Sequence, residues 1–126
     1  MSIVTFAVEH KDVEGRIWAG TFDIKTRISR RDVIRQDEIE RSILGGSPQT
    51  AGAYARSLAE IISYLRVRIT KAPKWWTDAD GGLELESDDV LVAVNNAAVK
   101  AVEADLKKVL DAAEAAKTEI RSELPK

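Results

Sequence analysis

The side chains best able to carry out acid–base or nucleophilic chemistry are scarce in this 126-residue chain, which has one histidine and no cysteine. The histidine, His10, is predicted in the polar link of a hairpin, beside Lys11 and Asp12. A general base needs a pocket and a group that orients it, so we expect a solvated side chain here. The lack of cysteine excludes disulfides, thiolate zinc sites and cysteine nucleophiles. These residues indicate no catalytic site, and we expect a protein that is not an enzyme.

The acidic stretch DADGGLELESDD, residues 78–89, has the composition of a calcium-binding loop but not its spacing. An EF-hand loop starting at Asp78 would place oxygen ligands at its first, third and fifth positions and glycine at its sixth. Asp78 and Asp80 meet the first two conditions, but Gly82 and Leu83 occupy the fifth and sixth positions. The stretch LGGSP likewise lacks the spacing and the lysine of a phosphate-binding loop. We therefore expect an acidic turn with glycines at positive φ, and no metal or cofactor.

Two groups of basic residues raise the question of nucleic-acid binding. They are Arg27, Arg30, Arg31 and Arg35, and then Arg66, Arg68, Lys71 and Lys74. Cations interleaved with aromatic residues can bind phosphates and stack on bases. The chain nevertheless has a net charge of −2, whereas a nucleic-acid-binding domain carries a basic patch or a positive excess. We favour a solvated helix face paired with nearby carboxylates, and we do not expect nucleic acid as a partner.

The stretch KAPKWW, residues 71–76, contains two of the three tryptophans side by side after a proline. Adjacent side chains on a strand or loop point in different directions, so one tryptophan can anchor the loop while the other contacts a partner. Proline restricts the approach, and tryptophan is enriched at binding hot spots. The alternative is that both rings simply cover the end of the preceding helix. For partner contact we select Pro73, Trp75 and Trp76, together with a helical stripe of Leu91, Val94 and Val102.

Residues 3–25 alternate between apolar and polar side chains in two runs, which predicts a β-hairpin. The apolar faces consist of Val4, Phe6 and Val8 in the first strand and of Trp18, Phe22 and Ile24 in the second. An isolated hairpin is marginal in water, so this face must pack on helices or on another copy of the chain.

Three helices are predicted after the hairpin. Residues 30–44 form the first, between a capping Ser29 and a pair of glycines. Residues 48–71 form the second, which has the clearest apolar stripe and ends ahead of Pro73. Residues 88–102 begin the third, which continues into an Ala/Glu/Lys-rich helical extension over residues 103–126. The predicted fold is α+β and mainly helical: an N-terminal β-hairpin packed on a small helical domain, within residues 1–102, with a long C-terminal helix.

The C-terminal helix is predicted to be longer than its own domain, since an unbroken helix would span about 50 Å at 1.5 Å per residue. Its last part has few large apolar residues, so we expect it to pack on another chain or to lead into a linker.

The charge of the chain is unevenly distributed, because residues 1–74 carry +4 and residues 75–126 carry −6. Such asymmetry is typical of opposite-signed binding faces or of head-to-tail self-association, although chance and a solvated acidic helix give the same imbalance.

No apolar run approaches the length of a membrane span, and residues 1–10 lack the basic start and apolar block of a signal peptide. We therefore expect no membrane partner.

The order of these segments resembles that of the tail assembly chaperones of long-tailed (siphovirus-type) bacteriophages. The matching features are a hairpin ending in GTF, the charged helix SRRDVIRQDEIER, the helix ARSLAEIISYLRVRITKAPKWW, an acidic turn and the helix DDVLVAVNNAAV. The resemblance covers roughly residues 3–102, and its most specific part is the junction at residues 58–76. No part of it is an active-site signature.

The resemblance implies a non-enzymatic protein in the cytoplasm of the infected bacterial host, without catalytic, cofactor-binding or metal-binding residues. Chaperones of this family self-associate, coat the tape-measure protein, recruit tail-tube subunits and leave before the virion is complete. The expected partners are therefore the tape-measure protein, the tail-tube protein and further copies of this chain. Two alternatives stay open: a small structural virion protein, such as a connector or tail-completion subunit, and a nucleic-acid-binding regulator, which we favour less.

Overall fold

The N-terminal hairpin has the predicted strands and faces in a computed structural model, which describes residues 2–123. Strands β1 (Ile3–Lys11) and β2 (Ile17–Lys25) pair antiparallel, with Phe6 opposite Phe22. Because side chains alternate across a strand, this register places the apolar residues of both strands on one face of the sheet. Phe22 and Ile24 are fully buried on that face.

The first helix, α1 (Arg30–Leu44), has the predicted bounds. Ser29 Oγ accepts a hydrogen bond from the backbone N–H of Asp32 at 3.2 Å, and the Asp32 carboxylate accepts one from the backbone N–H of Ser29. This reciprocal pair is the capping box that the sequence predicts. Gly45 ends the helix in the left-handed conformation, with φ of 69°.

The predicted helix over residues 48–71 is wrong at both ends. Pro48–Thr50 forms a single 3₁₀ turn, and helix α2 spans Ala53–Arg68. The following residues form a short strand, β3 (Ile69–Lys71), which pairs antiparallel with β2. Two of its three residues are β-branched, which favours extended backbone, and β2 offers them an unpaired edge. The sheet of the described residues thus has the order β1-β2-β3.

Residues 72–86, for which the sequence predicts no helix or strand, contain a short helix, α3 (Lys74–Asp78), that begins after Pro73. The last helix, α4 (Asp88–Glu123), is continuous and about 54 Å long at 1.5 Å per residue. It packs against β1 and β2, while α1 packs on α2. The core between the sheet and the helices consists of Val8, Phe22, Ile24, Ile62, Leu65, Trp76, Leu91, Val94, Ala98 and Val102. Positions 124–126 of the predicted extension lie outside the described residues.

The capping carboxylate of α1 makes the stability of the domain sensitive to acid. Lys25 Nζ lies 3.1 Å from Asp32 Oδ2, and this hydrogen bond holds the pKa of Asp32 below its ordinary value of 3.8. A carboxyl whose pKa is lowered by folding stabilises the folded state above pH 3.8, and this contribution is lost as the pH falls through the lower value. We expect Asp32→Asn to lower the urea midpoint at about pH 6 and to lower it less as the pH falls below 3.8. An equal decrease at both pH values would contradict a role for the charge.

Candidate functional site

The adjacent tryptophans are packed within the domain. Trp76 is only 4% exposed, and Trp75 is half-buried and donates its indole N–H to the carbonyl oxygen of Ala19 at 2.9 Å. Both lie in the first turn of helix α3, with their ring centroids 6.2 Å apart, and both contact the Phe22 ring. The centroid of that ring is 5.8 Å from Trp75 and 5.6 Å from Trp76, edge to face in both cases.

A close approach of backbone to proline fixes the position of this aromatic cluster. Gly20 of β2 faces the Pro73 ring so closely that a Cβ on Gly20 would lie 2.7 Å from Pro73 Cβ and Cγ. Only glycine therefore allows β2 to lie this close to Pro73, the residue just before α3. Pro73 itself is half-buried by this contact.

The residues expected to bind a partner lie for the most part in the core. Leu91, Val94 and Val102 project from α4 toward the sheet and are buried together with Trp76. This helical stripe is thus covered by the chain's own β1 and β2, which pack against α4. Of the selected residues, Pro73 and Trp75 retain partial exposure. The apolar stripe at residues 91–102 needs no partner to explain it, because the apolar face of the hairpin packs on it.

An accessible apolar surface lies further along the same helix. Asp105 ties α4 to the start of β1, accepting a hydrogen bond from Ser2 Oγ at 3.0 Å. From Leu106 to Arg121 every side chain is exposed. We call residues 106–121 the α4 extension. Its apolar residues recur at spacings of three and four, at Leu106, Val109, Ala113, Ala116 and Ile120, with Leu110 beside them. This is the a/d pattern of a coiled-coil seam, here without a partner helix.

A second accessible feature is a cleft of about 570 Å³ at the opposite end of the sheet. We call it the hairpin cleft, because the hairpin turn forms one wall and α3 with the loop before α4 forms the other. Trp18 and Trp75 meet edge to face at its base, with their centroids 5.3 Å apart. Five carboxylates line it, from Asp12, Glu14, Asp78, Glu84 and Glu86, together with one cation, Arg16.

The carboxylate of Asp12 organises the hairpin turn. Its Oδ2 accepts the indole N–H of Trp18 at 2.9 Å, and its Oδ1 accepts the backbone N–H groups of Glu14 and Arg16. The bond from Trp18, with the two backbone bonds, lowers the pKa of Asp12 below 3.8. The Arg16 guanidinium stacks over the Trp18 ring, 4.1 Å from its centroid. The turn thus presents a charged carboxylate and a cation on an aromatic surface.

The sequence-based prediction for His10 is wrong. It lies on strand β1 opposite Trp18, not in the hairpin link, and is half-buried. Its Nε2 lies 2.9 Å from the carboxylate of Asp89, near the start of α4. The side chain therefore links the sheet to α4, a role that neighbours in sequence could not reveal.

The second basic group does not form one patch. Arg68 donates to Gln36 Oε1 at 2.9 Å and stacks on the Tyr64 ring, and Arg66 donates to the backbone carbonyl of Asp80. These arginines hold α2 against its neighbours, and in this group only Lys71 and Lys74 are exposed. The first group is more open, since Arg27, Arg30, Arg31 and Arg35 all lie at the surface.

The acidic turn has the expected backbone. Gly81 and Gly82 have positive φ, as predicted.

Within residues 2–123, no three His, Asp or Glu side chains converge as metal ligands would. Over the same residues, no helix combines the length and the apolarity that crossing a membrane requires.

No protein-family model matches the chain, and comparisons with curated proteins and with solved structures likewise find no significant match.

Proposed function

We propose that this chain is a non-enzymatic tail assembly chaperone of a long-tailed bacteriophage, acting in the cytoplasm of the infected host. In this role it self-associates and binds the tape-measure protein and tail-tube subunits. The observation that carries the proposal is the α4 extension: a helix that leaves its domain after Asp105 and exposes an apolar seam along its whole length.

The extension is suited to binding another helix. Leu110 is 66% exposed and Ile120 60%, and transferring such side chains out of water stabilises a complex by about 1.5–3 kcal/mol each when burial is complete. Alanines at two seam positions, Ala113 and Ala116, allow a partner helix to approach closely. An amphipathic helix of a client can therefore lie along the seam, in the manner of helix-to-helix recognition. The polar residues on the other side of the extension keep the free chain in solution.

Self-association has a candidate surface of its own in β1. This nine-residue strand is at the edge of the sheet and has a strand partner only on its β2 side. The strand contains no proline and pairs with β2 without a bulge, and both features leave an edge open to strand addition. A second copy can extend the sheet there, which supports the oligomeric part of the proposal.

The test is co-expression of this chain with the phage tape-measure protein, followed by mass determination of any soluble complex. We expect several copies of this chain per tape-measure protein. An insoluble client together with a closed ring of this chain alone would contradict the chaperone function and favour a virion subunit.

A pair of charge substitutions in the seam tests whether the extension is the client-binding surface. We expect Val109→Lys with Ala116→Lys to weaken the complex by at least about tenfold, or 1.4 kcal/mol, because two ammonium groups would be buried against the client helix. The matched control is Ala115→Lys with Thr118→Lys, which adds the same charge to the other side of the extension. Both pairs are exposed in the free chain, so its thermal unfolding should not change. Equal loss of client in the two double variants would exclude the seam as the binding surface.

A further inference from the structure

We propose that the hairpin cleft is a second binding site, specific for a basic, arginine-containing peptide segment of a partner protein. It lies at the hairpin-turn end of the sheet, whereas the α4 extension leaves the domain at the end where Ser2 contacts Asp105. The two surfaces are therefore separate. This inference stands independently of the chaperone function, since it rests on the walls and charges of the cleft alone.

The charge of the cleft determines the kind of occupant. Five carboxylates face one guanidinium across about 570 Å³. None of the five lies within 4 Å of a cationic nitrogen of the described residues. Like charges gathered in one concave surface raise the local potential and attract a partner of opposite sign. The volume is in the range of ligand pockets, and it admits two or three long side chains.

The aromatic base of the cleft favours arginine over lysine. Trp18 already carries the Arg16 guanidinium at 4.1 Å from its ring centroid, so the exposed ring face accepts this group. Guanidinium is planar, stacks on indole rings and pairs with carboxylates through two parallel hydrogen bonds, whereas an ammonium group does neither. A partner's arginine can take the place of Arg16 on Trp18 and pair with the surrounding carboxylates. Arg16 is then an internal competitor for the site.

The experiment measures the binding of the full chain to a short fluorescein-labelled peptide in which arginine alternates with alanine. Anisotropy is recorded at about 0.05 M salt, where surface charge is weakly screened. We expect Glu84→Gln with Glu86→Gln to weaken binding about tenfold and Arg16→Ala to strengthen it severalfold. The matched lysine peptide should bind at least about threefold more weakly, because it cannot stack. The control, Asp111→Asn with Glu114→Gln, removes the same charge from the exposed α4 extension and should leave affinity almost unchanged.

Several results would overturn the proposal. An equal loss in the control variant would show attraction to net charge alone. Equal binding of a glutamate–alanine peptide, or no binding of the arginine peptide up to about 1 mM, would show that the cleft is not a site for cations. If sedimentation shows that the chain forms oligomers which Glu84→Gln with Glu86→Gln dissociates, the occupant is a second copy, presenting its exposed Arg30 and Arg31, and not a separate partner. All variants lie at exposed positions, so we expect each to fold like the unchanged chain. Circular dichroism spectra of the variants and of the unchanged chain check this.

Discussion

Phe22→Ala is expected to lower the free energy of unfolding by about 4 kcal/mol, the largest loss we expect from a single core truncation in this chain. The Phe22 side chain is completely buried. Its ring stacks on Phe6 at 5.1 Å and meets both Trp75 and Trp76 edge to face. Truncation would leave a cavity bounded by three rings, and these are held on strand β1 and helix α3, which cannot both collapse inward. Urea unfolding followed by tryptophan fluorescence measures the loss.

Two variants separate the cavity from the loss of aromatic contacts. Phe22→Leu keeps most of the volume and should cost about 1.5 kcal/mol. Phe6→Ala removes the stacked partner, which is half-buried on the edge strand, and should cost about 2 kcal/mol because solvent and neighbouring side chains can fill the space. If Phe6→Ala destabilises as much as Phe22→Ala, the centre of the core lies between β1 and α4 and not beneath the tryptophans.

The aromatic cluster explains why two tryptophans follow a proline in this sequence. Their packing on Phe22 and the bond from Trp75 to Ala19 anchor α3 to β2. The fold itself thus gives the pair a structural role, in which the rings pack on β2. Partner contact through Trp75 stays a prediction, now tied to the hairpin cleft that this ring lines.

Features encoded by near neighbours in sequence were predictable. The alternation in β1 and β2, the Ser29 capping box and the Gly45 terminus of α1 all depend on residues within a few positions of one another. A long C-terminal helix was predictable for the same reason, since no Gly or Pro interrupts α4, but its continuity was not. Each of these signals acts through local backbone geometry, which depends on the types and spacing of neighbouring residues and can be inferred from a single sequence.

Features that depend on distant contacts were not predictable. Ile69 to Lys71 continue the helical pattern of α2, and only the unpaired edge of β2 draws them into the sheet as β3. His10 resembles a loop residue until α4 brings Asp89 beside it. The hairpin cleft combines residues from three separate segments, so no spacing in the sequence could indicate it. Burial of Leu91, Val94 and Val102 on α4 was likewise not predictable, because it depends on the packing of the hairpin against this helix.

Gly82→Ala is the second change expected to have a large effect, with a loss of about 3 kcal/mol in the free energy of unfolding. Gly82 has φ of 90°, a conformation that L side chains rarely adopt. A Cβ there would lie 2.5 Å from Trp76 Cη2 and 2.8 Å from Cζ3. The Trp76 ring cannot move away, because it is buried against Phe22. Backbone strain and steric overlap therefore add at this position.

Two other glycines at positive φ separate these contributions. Gly45 has φ of 69°, and no atom lies within 4 Å of the place that an added Cβ would take, so Gly45→Ala should show the backbone strain alone, about 1 kcal/mol. Gly81, in the same turn as Gly82, would place its Cβ 3.2 Å from the Arg66 guanidinium, a flexible group that can shift. Gly81→Ala should therefore resemble Gly45→Ala and not Gly82→Ala. Urea unfolding of the three variants gives the comparison. If all three lose the same free energy, the Trp76 ring is free to move, and the acidic turn is held by backbone conformation and not by packing on the aromatic core.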